Sequence, residues 1–158
     1  MRTGDLGFLQ PEGLFIVGRV KDLLIVRGRN YAPSDVEQIW ADATGQVGQV
    51  TSAAFQVDLD AGSHIVLLAE IERAQRHSPT LGADITALTQ QVRRLALARL
   101  DLSISDIIIT TPSTIPRTTS GKVRRAAAKQ MLISGELPIM GGSGSLMRQL
   151  GIDKPGNQ

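Results

Sequence analysis

The sequence contains no cysteine, which removes disulfides, thiolate metal sites and a cysteine nucleophile together. Aromatic residues are scarce, at 3%, so there are few platforms on which nucleic-acid bases could stack. Neither charge sign dominates. Seventeen Lys and Arg stand against 15 Asp and Glu, a formal net charge of +2, and so even a balance does not imply bulk binding to nucleic acid or to a membrane surface. No stretch approaches the roughly 20 apolar residues that span a bilayer, and the opening "MRTGDLGF" has no apolar signal core. The expectation is a cytoplasmic protein with no transmembrane segment. The two histidines, His64 and His77, lie far apart without an acidic cluster around either, so no metal site is expected.

What is present suffices for a core: 42% of the 158 residues are apolar, which suits one compact domain. "GFLQPEGLFIVGR" reads as a hairpin turning at Pro11-Glu12-Gly13, and Leu23 to Val26 supplies another short strand. "SDVE" offers a capping box from Ser34 to Glu37, which predicts a helix starting there, with Val36, Ile39, Trp40 and Ala43 on one face and Gly45 as the stop. Val50 to Asp58 and His64 to Glu72 read as an antiparallel pair turning at Asp60, Ala61 and Gly62. Ile85, Leu88, Val92 and Leu95 place an apolar stripe on a long helix from Leu81 to Leu100. "SDIIITTP" is a further strand, and Val123, Ala126, Ala127 and Met131 mark a last helix stopping near Gly135. Residues 134–158 lack periodicity and are rich in Gly, Ser and Pro, which predicts a flexible tail or linker. The sum is an α+β fold: an N-terminal hairpin plus a small sheet flanked by helices.

The chemistry concentrates in "IPRTTSGKVRR", Ile115 to Arg125. Strand, polar loop, lysine, helix is the layout of an anion site, because the first helix amides are unpaired and the dipole is positive there. Gly121 lets the backbone turn and approach closely, and the hydroxyls of Thr118, Thr119 and Ser120 are expected to cap the last helix and shape the loop. The phosphate-loop NTPase pattern is excluded, since it needs a glycine where this chain has Pro116. Spacing alone leaves two readings open, a basic surface loop or a lysine that handles phosphate.

Taken together and in order, "RTGDLGF", "GRVKDLLIVRGRNYAPSDVE" and "PRTTSGKVRR" resemble the last three motifs of the acyl-adenylate-forming ligases, and "KDLLIVRGRNYAPSDVE" is most similar to the fatty-acyl-AMP ligases. The resemblance runs from Arg2 to about Met131. It implies that Asp5 grips the ribose of ATP, that Arg19 makes a second ribose or phosphate contact, and that Lys21 is the hinge between a large N-terminal domain and a small mobile C-terminal one. It implies that Lys122 bridges the carboxylate substrate and the α-phosphate. Such a lysine suits the chemistry, because two anions meet in the transition state and a preorganised ammonium with Mg²⁺ offsets their repulsion. Arg27, Gly28, Arg29 and Asn30 would form the acceptor face, and Asn30 stands where many CoA-using relatives carry a basic residue. ATP, Mg²⁺, a fatty acid and an acyl carrier protein or polyketide synthase follow as implied partners, nucleic acid does not, and no residue is assigned to a metal.

On this reading residues 1–21 are the end of the large domain and the hinge, 22–133 the mobile subdomain and 134–158 the tail. The chain is expected to be a C-terminal fragment, folded but inactive without the large domain. Two rivals stand beside it: the same segment of a long-chain acyl-CoA synthetase, and a non-catalytic module that docks a carrier protein or binds RNA. Arg124, Arg125 and Lys129 could simply solvate the last helix or meet an acidic carrier.

Overall fold

The structure, a computed structural model, describes residues 4–11, 13–45 and 51–152. The expected first hairpin forms from β1 (Asp5–Gln10) and β2 (Gly13–Arg19), paired antiparallel. A single 3-10 turn, Val20–Asp22, leads into a second hairpin, β3 (Leu24–Val26) and β4 (Arg29–Tyr31). Helix α1 (Pro33–Thr44) follows and ends at Gly45 in the left-handed region, as the glycine stop predicts.

The main sheet has the order β5 (Ser52–Leu59), β6 (Gly62–Glu70), β7 (Asp106–Thr110), β8 (Ile139–Ser143). The β5 and β6 strands are the expected antiparallel pair; Val50 lies outside the described residues. Strand β7 runs parallel to β6. Parallel neighbours need a crossover, and α2 (Leu81–Leu100) supplies it over the predicted span. All five residues of β7 are buried, as a central strand covered on both faces requires.

Two apolar layers sandwich the sheet. On one face Ala54, Leu67 and Ile109 meet Val36 and Trp40 of α1, Val92 and Ala96 of α2, and Leu24 of the second hairpin. On the other, Phe55, Leu68 and Ile108 meet Ile115, Ala128 and Leu132 of α3 (Arg125–Ile133), and Leu146 and Met147 of α4 (Leu146–Gln149). Each Leu, Ile or Met buried this way contributes roughly 1.5–3 kcal/mol.

Three expectations fail, each for a physical reason. Helix α1 starts at Pro33, with Ala32 as its cap and no side-chain capping bond; proline at the first helical position moves the start ahead of Ser34, and the Glu37 carboxylate is bonded elsewhere. The last helix begins at Arg125, not Val123, because Val123 forms an antiparallel bridge with Arg117. The expected flexible tail is largely core: β8 pairs antiparallel with β7, and Leu137, Ile139, Leu146 and Met147 are buried. Residues 153–158 of that tail lie outside the described residues.

Candidate functional site

The lysine loop is a hairpin closed on itself. Arg117 and Val123 bridge, the Thr118 amide donates to the Lys122 carbonyl at 2.8 Å, and the Gly121 amide donates to the Thr118 carbonyl at 2.9 Å. Thr118 Oγ1 accepts from the Lys122 amide at 3.0 Å and lies 2.9 Å from Ser120 Oγ. These hydroxyls therefore shape the loop as expected but do not cap the helix; the cap of α3 is Arg124, without a side-chain bond. Lys122 sits three residues ahead of Arg125 and is exposed, so its ammonium projects from a hairpin tip and not from the first turn of a helix.

Both feet of this hairpin are anchored. On the N-terminal side Ile115 is buried and its amide donates to Oε1 of the buried Glu70 at 2.7 Å. On the C-terminal side the Arg124 amide donates to the Pro116 carbonyl at 2.9 Å, and Arg125 donates through Nε and Nη2 to Glu37, both at 2.7 Å. Arg125 thus neither simply solvates its helix nor stands open to an acidic carrier; it is paired with Glu37, and that bond raises its pKa above the ordinary arginine value. Beside the loop opens a cleft of about 790 Å³ lined by Glu70, Arg73, Pro112, Thr114 and Arg117 among others.

The other sequence candidates occupy the chain's N-terminal third. Asp5 and Arg19 face one another in the β1–β2 register, so the first hairpin brings these two together, and Arg19 is exposed. Lys21 is exposed within the 3-10 turn between the two hairpins. Arg27 and Gly28 form the tight turn between β3 and β4, with φ of 49° and 77°, the positive values that two-residue hairpins use. Arg29 donates to Asp101 at 2.7 Å, which ties it to the end of α2. Ile25 and Asn30 are cross-strand partners, and both are exposed.

The sheet separates two of these groups. The β3–β4 hairpin packs through Leu24, Val26 and Tyr31 into the layer with α1 and α2, whereas Ile115 and Val123 place the lysine hairpin in the opposite layer. A histidine-carboxylate contact that the sequence did not disclose also appears: His64 Nδ1 lies 2.8 Å from Oδ2 of the buried Asp106. Its partner oxygen accepts the Leu146 amide at 2.8 Å. Among the described residues no three His, Asp or Glu side chains gather as metal ligands would, and no helix is long and apolar enough to cross a membrane.

No protein-family profile matches the chain. It is 34% identical over 137 residues to the medium-chain-fatty-acid–[acyl-carrier-protein] ligase JamA of Moorena producens, covering 87% of this chain and 22% of that protein. It is 39% identical over 127 residues to the putative fatty-acid–CoA ligase FadD21 of Mycobacterium tuberculosis, covering 80% and 21%. Over the same length it is 36% identical to that species' long-chain-fatty-acid–AMP ligase FadD26. The fatty acid AMP ligase from Legionella pneumophila superposes with a TM-score of 0.60 at 29% identity, over 91% of this chain and 24% of that one. The chain thus spans about a fifth of the length of the curated relatives it matches. With its α+β fold and its three motifs in order, the chain is homologous to the C-terminal part of fatty-acid ligases and shares the fold of the acyl-adenylate-forming ligases.

Proposed function

We propose that the chain acts as the C-terminal part of an enzyme that activates a long-chain fatty acid with ATP and hands the acyl group to a carrier protein. In the first step a carboxylate oxygen attacks the α-phosphorus of ATP, the bond to pyrophosphate breaks, and acyl-AMP forms. The charge that builds where the two anions meet is the charge a fixed ammonium stabilises. Lys122 supplies it, and the observation that carries this reading is the lysine hairpin: an exposed ammonium on a loop closed by its own hydrogen bonds and anchored at both feet. Asp5 and Arg19, opposite one another on the first hairpin, contact the nucleotide, and Lys21 is the hinge.

Placement of the lysine hairpin and of the Arg27 to Asn30 turn on opposite sheet faces supports a rotation about Lys21 that presents one face for adenylation and the other for acyl transfer. The acceptor turn favours a carrier thiol over CoA. Arg29 is tied to Asp101 and Asn30 puts a neutral side chain where many CoA-using relatives carry a basic one, which leaves Arg27 as the exposed cation of the turn. Mg²⁺ enters with ATP and is held mainly by the large domain. The 158-residue chain by itself folds without making acyl-AMP, and the enzyme is placed in the cytoplasm.

Chromatographic analysis of products tests this. The full-length ligase carrying this segment is given ATP, Mg²⁺ and a long-chain fatty acid, with and without CoA, and the 158-residue chain serves as control. Acyl-AMP that persists when CoA is added is the expected result. Conversion to acyl-CoA would move the protein to the acyl-CoA synthetases, whose curated relative FadD21 has similar identity, and no acyl-AMP at all would remove the reading.

A further inference from the structure

Helix α3 begins against the rules of helix chemistry. Its cap and first residue are both arginine, its first turn holds no acid, and no side chain caps it, although cations at a helix N-terminus oppose the dipole and a missing cap forgoes a bond to an orphan amide. Such local violations concentrate where a remote contact imposes the structure. The remote contact is Glu37, on the other side of the sheet.

We propose that Glu37 is the positioning residue of the lysine hairpin: it reaches round the β5 edge from α1 and clamps Arg125, fixing the C-terminal foot on which Lys122 is presented. Both carboxylate oxygens are used. Oε1 accepts from Arg125 Nε at 2.7 Å and from the Ala54 amide of β5 at 2.9 Å, while Oε2 accepts from Arg125 Nη2 at 2.7 Å. The side chains are 16% and 30% exposed, so the two-pronged pair is sheltered from the screening that weakens surface ion pairs. Glu37 belongs to α1, in the layer that carries the β3–β4 hairpin, and Arg125 to the layer that carries Lys122. One carboxylate therefore links α1, β5 and the start of α3 across the edge of the sheet that the two layers share. Lys21 and Asp22 line the same cleft of about 360 Å³ as Arg125, which sets the clamp beside the hinge.

The catalytic consequence rests on the adenylation reading; the clamp does not. Residue-resolved amide hydrogen exchange on the 158-residue chain tests the clamp, comparing the parent with Glu37→Gln and with Arg125→Lys, which keeps the charge but loses the fork. Exchange at Thr118, Lys122 and Arg124 is expected to quicken about tenfold or more in both variants, the loss of a charge-assisted bond felt locally, while Leu67 and Leu68 keep parental protection. Unchanged exchange at those three amides overturns the clamp. In the full-length ligase, Glu37→Gln is expected to lower kcat for acyl-AMP formation about tenfold in the parent and less than twofold when Lys122 is already alanine. An equal factor in both backgrounds overturns the positioning role. The exchange arm needs no turnover, so a parent enzyme that makes no acyl-AMP counts against the adenylation reading alone.

Discussion

Replacing Gly144 by alanine should be among the most damaging single-methyl changes in this chain. A Cβ at Gly144 would lie 1.9 Å from Asp106 Oδ1 and 2.9 Å from Asp106 Cα, at a φ of +136°. The carboxylate cannot simply swing away, because it is buried, faces His64 at 2.8 Å and accepts the Leu146 amide at 2.8 Å. Relieving the overlap sacrifices a bond to a charged group, about 1.5–3 kcal/mol, and the backbone adds about 1–3 kcal/mol of strain for a residue with a Cβ. The sum, about 2.5–6 kcal/mol, is a large share of the roughly 5–15 kcal/mol that holds a domain together. Urea unfolding of the 158-residue chain and its Gly144→Ala variant, followed by circular dichroism with the slope checked for constancy, measures the difference. Gly135→Ala is the control, since its φ is also positive but no atom stands within 4 Å of its Cβ. If Gly144→Ala lies within 0.5 kcal/mol of the parent, roughly the spread of innocuous surface changes, then the close approach of the β8–α4 turn to Asp106 is wrong.

Other predictions follow from single contacts. Glu70→Ala leaves the buried Ile115 amide unpaired, a cost of about 1–3 kcal/mol, while Glu70→Gln keeps an acceptor and should cost less; equal stability of all three in urea would refute the N-terminal foot. Lys122→Ala should leave unfolding within about 0.5 kcal/mol of the parent because Lys122 is exposed, and a large drop in the thermal midpoint would contradict its placement at a hairpin tip. Bonds from Gln56 and then Ser63 hold the Asp58 carboxyl below the usual aspartate range. A pKa lowered in the folded state gives stability that is complete above pH about 4 and lost as pH falls below it. Asp58→Asn should therefore flatten the acid limb of a stability-pH curve, and parallel limbs for parent and variant would count against it.

Much of this fold is legible in the sequence because its signals are local. The first hairpin, the β5–β6 pair and α2 each follow from periodicity bounded by turn residues, and the three ordered motifs single out Lys122 as the candidate before any geometry is known. What escaped was decided by distant partners. Glu37 three residues after Ser34 carries the pattern of a capping box, yet Arg125 and Ala54 offer its carboxylate three bonds that a local cap cannot match. "GGSGS" has the composition of a linker, but an added Cβ at Gly142 would lie 2.3 Å from the Ile107 carbonyl, so glycine is there to let β8 and its turn lie close on β7. Composition does not distinguish a glycine that frees a chain from one that lets two chains touch. The flanking Leu137, Ile139, Leu146 and Met147, all buried, were the available sign that this segment joins the core.

The most direct test of the account is the rate of acyl-AMP formation by the full-length ligase with Lys122 intact and with Lys122→Ala, measured with thermal midpoints on the same samples. Loss of one preorganised charge-stabilising group predicts a fall of about 10²–10³ in that rate with an unchanged midpoint. An equal rate in the two proteins would contradict the assignment of Lys122 to adenylation.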